Sequence, residues 1–462
     1  VKRLDYFYDS RGNKTEIRKY YNENNYISTE QEYDGFGRVT KEIDSNNQNT
    51  VLTYNLLDRM TAKVTPDGGI TSYVYDSNGN KMAEISPRPN SGEEGLTNND
   101  GYSMSYLYDK LSHLIKQTNA SNQVTQYFYD TAGNLIRTVD RQNSNGTANN
   151  HTTAIEYYKT NLKQKETFAD GSFISYTYDK VGNLKTRIDQ VGQIWNYNYD
   201  DFNRLTDEID PAGKVTHYGY DKANNKTSVT YPDNTGVTYA YDVMNHLEYI
   251  YDDVGSNTAF SYDVLGYQVA ERNKRAYGVT LYRDWLGRLI SERASNGLST
   301  WYTYDGNNNR LTQSTGGKVT TFVYDELNRL THATYPGNKT EGYDYDLNGN
   351  KNSFTDGNNQ TTTYDYDKLD RPTFKHLPDF TVEYVYDNWN NLTSLKDQSG
   401  TTNYVYDAMN RPVTETKVII GLAGSKVIGR TYKPDGKLAS ITDVANRQIV
   451  YNYNSRGLLE DV

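Results

Sequence analysis

The stretch that decides the fold is Tyr176-Thr177-Tyr178-Asp179-Lys180-Val181-Gly182-Asn183-Leu184. Its two tyrosines lie on the same face of a β-strand, because successive side chains of a strand point to opposite sides of the sheet. Gly182 then provides a residue that tolerates positive φ, which is typical of a tight turn. Asn183 and Leu184 begin the next strand, so the segment predicts a β-hairpin.

The same segment returns at a fixed period along the chain. Tyr178, Tyr199 and Tyr220 are spaced 21 residues apart, and each is followed by Asp. The anchor tyrosines that share this pattern include Tyr75, Tyr129, Tyr178, Tyr199, Tyr220, Tyr241, Tyr262, Tyr324, Tyr345, Tyr366, Tyr386 and Tyr406. Degenerate copies of the anchor are assigned to Tyr158, Arg283 and Tyr432. A fixed period of this kind indicates a tandem repeat protein.

Each repeat carries two turn signals. The first lies four residues after the anchor, at Gly79, Gly133, Gly182, Asn203, Asn224, Asn245, Gly266, Asn328, Gly349, Asn390 and Asn410. The second follows about ten residues later, as in Pro66-Asp67-Gly68 and Asp170-Gly171. Two strands and two turns in each repeat predict an all-β fold of tandem antiparallel hairpins that form one continuous meander.

A second aromatic residue lies two positions before most anchors, as Tyr176 does before Tyr178. Both rings then face the same side of the sheet, and we expect ladders of stacked rings across the strands. The chain has 46 Tyr, whereas only 35% of its residues are apolar. Tyrosine covers a sheet with a flat ring while its hydroxyl stays hydrated, so a thin or hollow β-structure fits this composition better than a compact globule.

The whole chain, residues 1–462, is predicted to be a single array of about 21 repeats of about 21 residues. Breaks in the spacing predict loop insertions near residues 86–101 and 141–151 and a lengthened hairpin near residues 417–430. The pattern stops within a repeat at Val462, so we expect the chain to be a fragment of a repeat region.

This pattern resembles the tyrosine-aspartate (YD) repeat of Rhs proteins, wall-associated polymorphic toxins, the BC components of Tc toxins and the teneurin YD shell. The resemblance rests on segments such as residues 176–184 and extends over nearly the entire chain. It implies a long sheet that spirals into a hollow β-shell, which in the bacterial toxins encloses a C-terminal effector. The Asp-Pro-x-Gly signature that ends such repeats is absent, and Asp210-Pro211 lies in an ordinary repeat turn. Self-cleavage and toxin activity are therefore not assigned to this chain.

No catalytic, metal-binding or cofactor-binding residue is predicted, and no cofactor is expected. An Asp that recurs at one repeat position is explained by local hydrogen bonds to backbone amides rather than by acid catalysis. The six histidines are scattered without metal-ligand spacing, and the turns match no calcium-loop motif. Cysteine is absent, which excludes disulfides and thiolate metal sites. We therefore expect the protein not to be an enzyme.

The leading hypothesis is a structural shell of a secreted or cell-surface polymorphic toxin, whose partner is the enclosed C-terminal toxin of the same polypeptide. A net charge of −10 argues against nucleic acid as a partner. No apolar run predicts membrane insertion, and we expect a monomer. The Asn- and Lys-rich composition favours a Gram-positive bacterium as the source.

Two alternatives remain open. The first is a carbohydrate- or cell-wall-binding repeat module, although such modules depend on repeated Trp and this chain has four. The second is a β-propeller, in which two repeats would form one four-stranded blade. The number of repeats would then require more blades than propellers usually contain.

Overall fold

Alternating strands and short turns make up the chain in the computed structural model, which describes residues 3–86, 103–142, 151–454 apart from 256, 274 and 276, and 458–462. The first strands are β1 (Leu4–Tyr8), β2 (Lys14–Tyr20), β3 (Tyr26–Tyr33), β4 (Val39–Ile43), β5 (Asn49–Tyr54), β6 (Met60–Val64), β7 (Ile70–Tyr75), β8 (Lys81–Ile85), β9 (Ser103–Tyr108), β10 (Leu114–Thr118), β11 (Val124–Tyr129), β12 (Leu135–Gln142), β13 (Thr152–Tyr157) and β14 (Lys163–Thr167).

The middle strands are β15 (Phe173–Tyr178), β16 (Leu184–Ile188), β17 (Ile194–Tyr199), β18 (Leu205–Ile209), β19 (Val215–Tyr220), β20 (Lys226–Thr230), β21 (Gly236–Tyr241), β22 (Leu247–Asp252), β23 (Asn257–Tyr262), β24 (Gln268–Arg272), β25 (Gly278–Arg283), β26 (Leu289–Ala294), β27 (Ser299–Tyr304), β28 (Arg310–Thr315) and β29 (Lys318–Tyr324). Almost all of them have five or six residues, which suits the short spacing between turns.

The remaining strands are β30 (Leu330–Tyr335), β31 (Lys339–Tyr345), β32 (Lys351–Thr355), β33 (Thr361–Tyr366), β34 (Pro372–His376), β35 (Thr381–Tyr386), β36 (Leu392–Asp397), β37 (Gly400–Tyr406), β38 (Pro412–Ile419), β39 (Ser425–Tyr432), β40 (Leu438–Thr442), β41 (Gln448–Val450), β42 (Asn452–Tyr453) and β43 (Leu459–Asp461). Within the described residues, 41 strands belong to one hydrogen-bonded sheet, and β42 pairs with β43. The prediction of an all-β fold built from antiparallel hairpins is confirmed.

Strand pairing follows the order of the chain. In one repeat, β15 pairs antiparallel with β16 through Tyr176 opposite Arg187, and β16 pairs with β17 through Arg187 opposite Trp195. The register shifts immediately before the anchor, between Thr177 and Tyr178, and the same bulge precedes the anchors of most other repeats. A bulge increases the local twist of a strand, so each repeat bends the sheet at the same place.

Two kinds of turn alternate along the sheet. From β1 to β40, the loop after each odd-numbered strand, which follows the anchor, is called the tyrosine turn, and the loop after each even-numbered strand is called the opposite turn. In the tyrosine turn after β15, the amide of Gly182 donates to Asp179 O at 3.3 Å, and the amide of Asp179 donates to Asn183 O at 2.9 Å. This is the three-residue hairpin loop in which the last residue adopts positive φ, and Gly182 has φ of +99°.

The chain divides into two compact units, each made of two separate segments. Unit 1 contains residues 1–103 and 238–364, and unit 2 contains residues 104–237 and 365–462. Among the described residues no large side chain is fully buried, and the few buried apolar residues, such as Val124, Ile174 and Val229, are spread along the strands. The aromatic side chains therefore cover the sheet without forming a thick core.

The predicted insertions lie mainly outside the described residues, because residues 87–102 and 143–150 are not among them. The single array with these insertions stays a prediction. Near residues 417–430, β38 and β39 are eight-residue strands that pair from Thr414–Gly429 to Val418–Ser425. The described part of the chain contains no helix long and apolar enough to cross a membrane.

Candidate functional site

The candidate site is the contact between one repeat and the next, since this contact recurs along the array. Each of the twelve predicted anchor tyrosines is the last residue of a strand, from Tyr75 of β7 to Tyr406 of β37. All eleven predicted turn residues have positive φ, from +60° at Asn410 to +99° at Gly182. Anchors and turns are therefore adjacent, and the side chains of the tyrosine turn lie where the next repeat begins.

The aspartate after the anchor holds the tyrosine turn together. Asp200 Oδ1 accepts hydrogen bonds from the amides of Phe202 at 2.9 Å and Arg204 at 3.0 Å. Its Oδ2 accepts from Arg204 Nε at 2.7 Å. These bonds to Arg204 and the backbone lower the pKa of Asp200 below its usual value. The repeated Asp is thus a turn-forming residue that also fixes one arginine.

That arginine connects two repeats. Arg204 Nη1 donates to the backbone oxygen of Asp221 at 2.8 Å and to Asn224 Oδ1 at 3.0 Å, both in the next tyrosine turn. Its guanidinium lies over the ring of Tyr220, 4.9 Å from the centroid. A planar guanidinium can bind a carboxylate and a carbonyl through separate N–H groups while its face lies on an aromatic ring, whereas a lysine ammonium has no planar face.

The same arrangement recurs in both units. Pairs of an arginine and the following anchor ring include Arg38 with Tyr54, Arg288 with Tyr304, Arg329 with Tyr345, Arg371 with Tyr386, and Arg411 with Tyr432. Where the turn carries histidine, the imidazole takes the place of the arginine. His113 and His246 each contact the turn Asp and stack 4.8 Å from Tyr129 and Tyr262.

These contacts correct the expected ladders of stacked rings. In the described repeats that carry Arg or His at this position, a cation or an imidazole stands between one repeat and the next anchor ring. The physical reason is that the ring face carries negative electrostatic potential, which favours a guanidinium over a second ring. From the sequence, the residue at this position was interpreted only as the start of the next strand. Its recurrence as Arg or His four residues after the Asp was the signal that could have revealed the link between repeats.

The anchor hydroxyl makes the second link between repeats. Tyr75 donates to the backbone oxygen of Met60 at 2.9 Å, and Tyr345 donates to that of Leu330 at 3.0 Å. Arg283, at a degenerate anchor, reproduces this link by donating from Nε to the backbone oxygen of Gln268 at 3.2 Å. Other anchors that make this bond include Tyr129, Tyr262, Tyr324 and Tyr406, which donate to the backbone oxygens of Leu114, Leu247, Arg310 and Leu392.

Three further anchors contact a neighbouring side chain through their rings. Tyr178 lies edge to face with Tyr158, and Tyr220 and Tyr386 lie under Arg204 and Arg371. Burial raises the pKa of Tyr199.

The sequence placed one anchor incorrectly. Tyr157, not Tyr158, ends β13 and donates to the backbone oxygen of Leu135 at 3.1 Å. Tyr158 occupies the position of the Asp, and its amide donates to Leu162 O. The distance from Tyr157 to Tyr178 is the regular period of 21 residues, which was the signal for the correct assignment.

The second aromatic of several repeats pairs with an acidic residue on the sheet surface. Burial and a hydrogen bond to Glu208 raise the pKa of Tyr218 to about 12. Burial and hydrogen bonds to Glu292 and Glu341 likewise raise the pKa of Tyr302 and the pKa of Tyr343 to about 12. These tyrosines stay protonated at neutral pH, so they act as hydrogen-bond donors and not as acids.

A different contact joins the two segments of unit 1. Opposite turns after β2, β4 and β6 meet tyrosine turns after β25, β27 and β29, so each pair of turns is 23 strands apart. The amide of Trp285 donates to Tyr21 O at 3.2 Å, and Arg329 lies 3.5 Å from Asp67. In the middle pair, Asn307 Nδ2 donates to Asp44 Oδ2 at 2.6 Å. This line of contacts is called the seam of unit 1.

Unit 2 has a seam of the same kind. The imidazole of His151, before β13, stacks on Trp389 in the tyrosine turn after β35, with ring centroids 4.1 Å apart. Arg411, after β37, lies 3.6 Å from Asp170, after β14. These two contacts again join turns 23 strands apart. Burial lowers the pKa of His151, so the imidazole is neutral in the seam near pH 7.

Together these features define a tandem β-hairpin array whose repeats are joined by tyrosine, arginine and aspartate. The RHS Repeat family model matches residues 33–70, 108–147, 199–235, 310–340 and 386–418. The chain therefore carries RHS repeats, and the resemblance inferred from the tyrosine-aspartate pattern is confirmed. The five matched segments together cover less than half of the chain. A comparison with curated proteins gave no match.

Solved structures similar to the chain include a chain of a Tc holotoxin. A chain of the Photorhabdus luminescens Tc holotoxin pore is similar over 96% of this chain and 27% of its own length, with 14% identity and a TM-score of 0.70. TcdB2-TccC3 without its hypervariable C-terminal region matches 99% of this chain and 36% of its own, with 12% identity and a TM-score of 0.45. The chain thus spans about a third or less of the structures that it matches, and the likeness concerns the fold.

Proposed function

We propose that this chain forms part of the wall of a toxin-enclosing shell, and that the wall itself is not an enzyme. The observation that carries the proposal is the separation of 23 strands that recurs between contacting turns in both units. One further contact in unit 2, from Gln123 Nε2 to Asn388 Oδ1 at 3.1 Å, joins turns 25 strands apart. A sheet that bends by the same amount in each repeat returns to contact its own turns at a fixed interval. Such a sheet can enclose a volume with a wall one strand thick.

Burial supports the same proposal. A globular all-β domain packs two sheets face to face around a dry core. Among the described residues of this chain, no large side chain is fully buried. The cohesion comes instead from contacts within the sheet, such as Arg204 with Tyr220, and from the seams. A wall of this kind needs no central core, so its interior is free for a cargo.

The cargo that we propose is a C-terminal effector of the same polypeptide, and we propose a secreted or cell-surface location for the complete protein. The fold similarity to a chain of a Tc holotoxin supports a role in a toxin. The Gram-positive source rests on the Asn- and Lys-rich composition alone, and the comparisons give it no support.

Small-angle X-ray scattering of the purified chain tests the shell. A compact domain of this length has a radius of gyration of roughly 23 Å. We expect a larger radius and a pair-distance profile that fits a hollow or open curved sheet. A radius near the compact value with the profile of a solid body would contradict the proposal. Fusing a reporter domain after Val462 and measuring its resistance to protease then tests enclosure directly.

Binding of glycans or cell walls is the second candidate function. Trp301 on β27 is 59% exposed and offers an aromatic face on which a sugar ring can stack. Binding of the chain to a glycan array, lost in Trp301→Ala and kept in Trp389→Ala, would establish this function. Absence of binding to any glycan would leave the shell as the sole candidate.

A further inference from the structure

Two exposed aromatic side chains of unit 1 lie on the face of the sheet that carries no anchors, which is called the reverse face. Tyr282 immediately precedes the degenerate anchor Arg283, and Trp301 lies three residues before the anchor Tyr304. Strand alternation therefore places both rings on this face. Their exposed fractions are 49% and 59%. Within the described part of the chain, neither ring takes part in the ring or cation contacts that join the repeats, so both are available to a ligand.

The two rings belong to one row that crosses the strands. Tyr282 of β25 pairs with Ser291 of β26, and Ser291 pairs with Trp301 of β27. Directly paired residues point to the same face, and two strand spacings separate the aromatic residues by about 10 Å. Ser291 is small and only 3% exposed, so it forms the floor between the two rings. The row is therefore a shallow surface with an aromatic side chain at each end.

Hydroxyl groups border this row. Thr303 and Thr312 lie opposite each other on the reverse face with their Oγ1 atoms 2.7 Å apart, and Thr321 continues the line. Ser314 is the direct partner of Trp301 on the next strand. Aromatic rings beside hydroxyl groups are the combination that a sugar needs, because its C–H groups stack on the rings and its own hydroxyls form hydrogen bonds.

The local charge of the reverse face is opposite to that of the whole chain. Arg272 and Arg293 are exposed there, and neither has a carboxylate partner among the described residues. Of the described strand residues from β23 to β30, none on this face is acidic. Glu292 points to the anchor face, where it accepts a hydrogen bond from Tyr302. A chain with a net charge of −10 thus presents two free guanidinium groups on a surface without carboxylates.

Arg293 stands beside the row of rings. It lies two residues after Ser291 on β26, which is about 7 Å along the strand. Its long side chain can therefore bring the guanidinium to the space between Tyr282 and Trp301. A guanidinium binds a carboxylate through two parallel N–H donors, so this position suits an anionic group on a ligand that is stacked on the rings.

We propose that this part of the reverse face binds a linear β-linked glycan in which every second sugar carries a carboxylate. Two rings about 10 Å apart suit two sugars that are one disaccharide apart, because an extended β-linked chain presents the same face at every second sugar. The carboxylate of a bound sugar then pairs with Arg293. The inference rests on the second candidate function, glycan binding at Trp301, and does not depend on the shell.

Isothermal titration calorimetry of the full chain with a hyaluronan oligosaccharide and a chitin oligosaccharide of the same length tests the inference. Hyaluronan carries a carboxylate on every second sugar, whereas chitin is neutral. We expect hyaluronan to bind about tenfold more tightly, because only its carboxylate can pair with the guanidinium. Arg293→Gln should lower the affinity for hyaluronan by about tenfold and leave the affinity for chitin unchanged. Trp301→Ala and Tyr282→Ala should each lower both affinities by about tenfold, since both glycans stack on the rings.

Matched controls come from exposed side chains of unit 2. Arg447→Gln removes the same charge from a side chain that is 80% exposed, and Phe202→Ala removes a ring that is 76% exposed. Both variants should bind hyaluronan as tightly as the unsubstituted chain, and circular dichroism checks that every variant keeps its fold.

Three results would overturn the inference. Equal affinity for the two glycans, lost in Trp301→Ala, would reject the carboxylate site and retain glycan binding as a function. Equal weakening of hyaluronan binding by Arg447→Gln and Arg293→Gln would assign the preference to net charge. Absence of binding to both oligosaccharides would reject the inference, and a glycan array with the unsubstituted chain would then decide the second candidate function separately.

Discussion

One added methyl group at Gly306 should open the seam of unit 1. In Gly306→Ala the new Cβ would lie 2.3 Å from Ser45 O and 2.9 Å from Asn46 Oδ1. The backbone oxygen of Ser45 cannot accommodate so short a contact, so the two turns must separate. Overpacking of this kind costs about 1–3 kcal/mol. Asn46 also accepts a hydrogen bond from the Gly306 amide at 3.1 Å, and its loss adds about 0.5–1.5 kcal/mol. We expect a total loss of about 2–4 kcal/mol in the free energy of unfolding.

Gly35→Ala is the matched control, because Gly35 occupies the same position of its repeat and its Cβ would meet nothing within 4 Å. This substitution should be neutral or should stabilise the chain by about 0.4–1 kcal/mol, since it restricts the unfolded state. Urea titration followed by circular dichroism compares the two variants, and hydrogen exchange at the amide of residue 306 reports on the seam locally. Equal midpoints for Gly306→Ala and Gly35→Ala would refute the reasoning.

Three further predictions concern the repeats themselves. Arg204→Lys keeps the charge but removes the planar fork that joins Asp200 to the next repeat, so urea titration should show a loss of about 1–2 kcal/mol. Tyr345→Phe removes the hydrogen bond to Leu330 O and should lower the free energy of unfolding by about 0.5–1.5 kcal/mol. The pKa of Tyr218 is raised from 10.0 to about 12, so its contribution to stability is complete below pH 10 and is lost as the pH rises from 10 to 12. In an alkaline titration, Tyr218→Phe should therefore lose less stability between pH 10 and pH 12 than the unsubstituted chain.

Exposed residues of the same types serve as controls. Arg272→Lys and Tyr282→Phe change side chains that are exposed. They should leave the free energy of unfolding unchanged within about 0.5 kcal/mol. A loss at Arg272 as large as that at Arg204 would show that the contacts of Arg204 with the next repeat are not the cause of the loss. An effect at Tyr282 equal to that at Tyr345 would exclude the hydroxyl bond as the cause. Alkaline unfolding that is identical with and without Tyr218 would contradict the pKa argument.

The links between repeats were only partly predictable. The anchors, such as Tyr178, and the turn residues, such as Gly182, follow from local rules because alternation along a strand and positive φ each involve a few neighbouring residues. The arginine link was missed because the partners of Arg204 belong to the next repeat. The ladder of rings was predicted from alternation alone, which places rings on a face but does not say what separates them.

The sequence by itself determined the all-β class, the period of 21 residues, the hairpins and the turns, because each depends on residues close together in the chain. Only the tertiary structure decided which turns meet. Asn46 donates to Asp305 across 259 residues, and this separation depends on the sum of small bends in many repeats, which no single repeat reveals. For the same reason Gly35 and Gly306, equivalent in the sequence, differ in the folded chain, where one turn is open to solvent and the other lies against a neighbouring backbone.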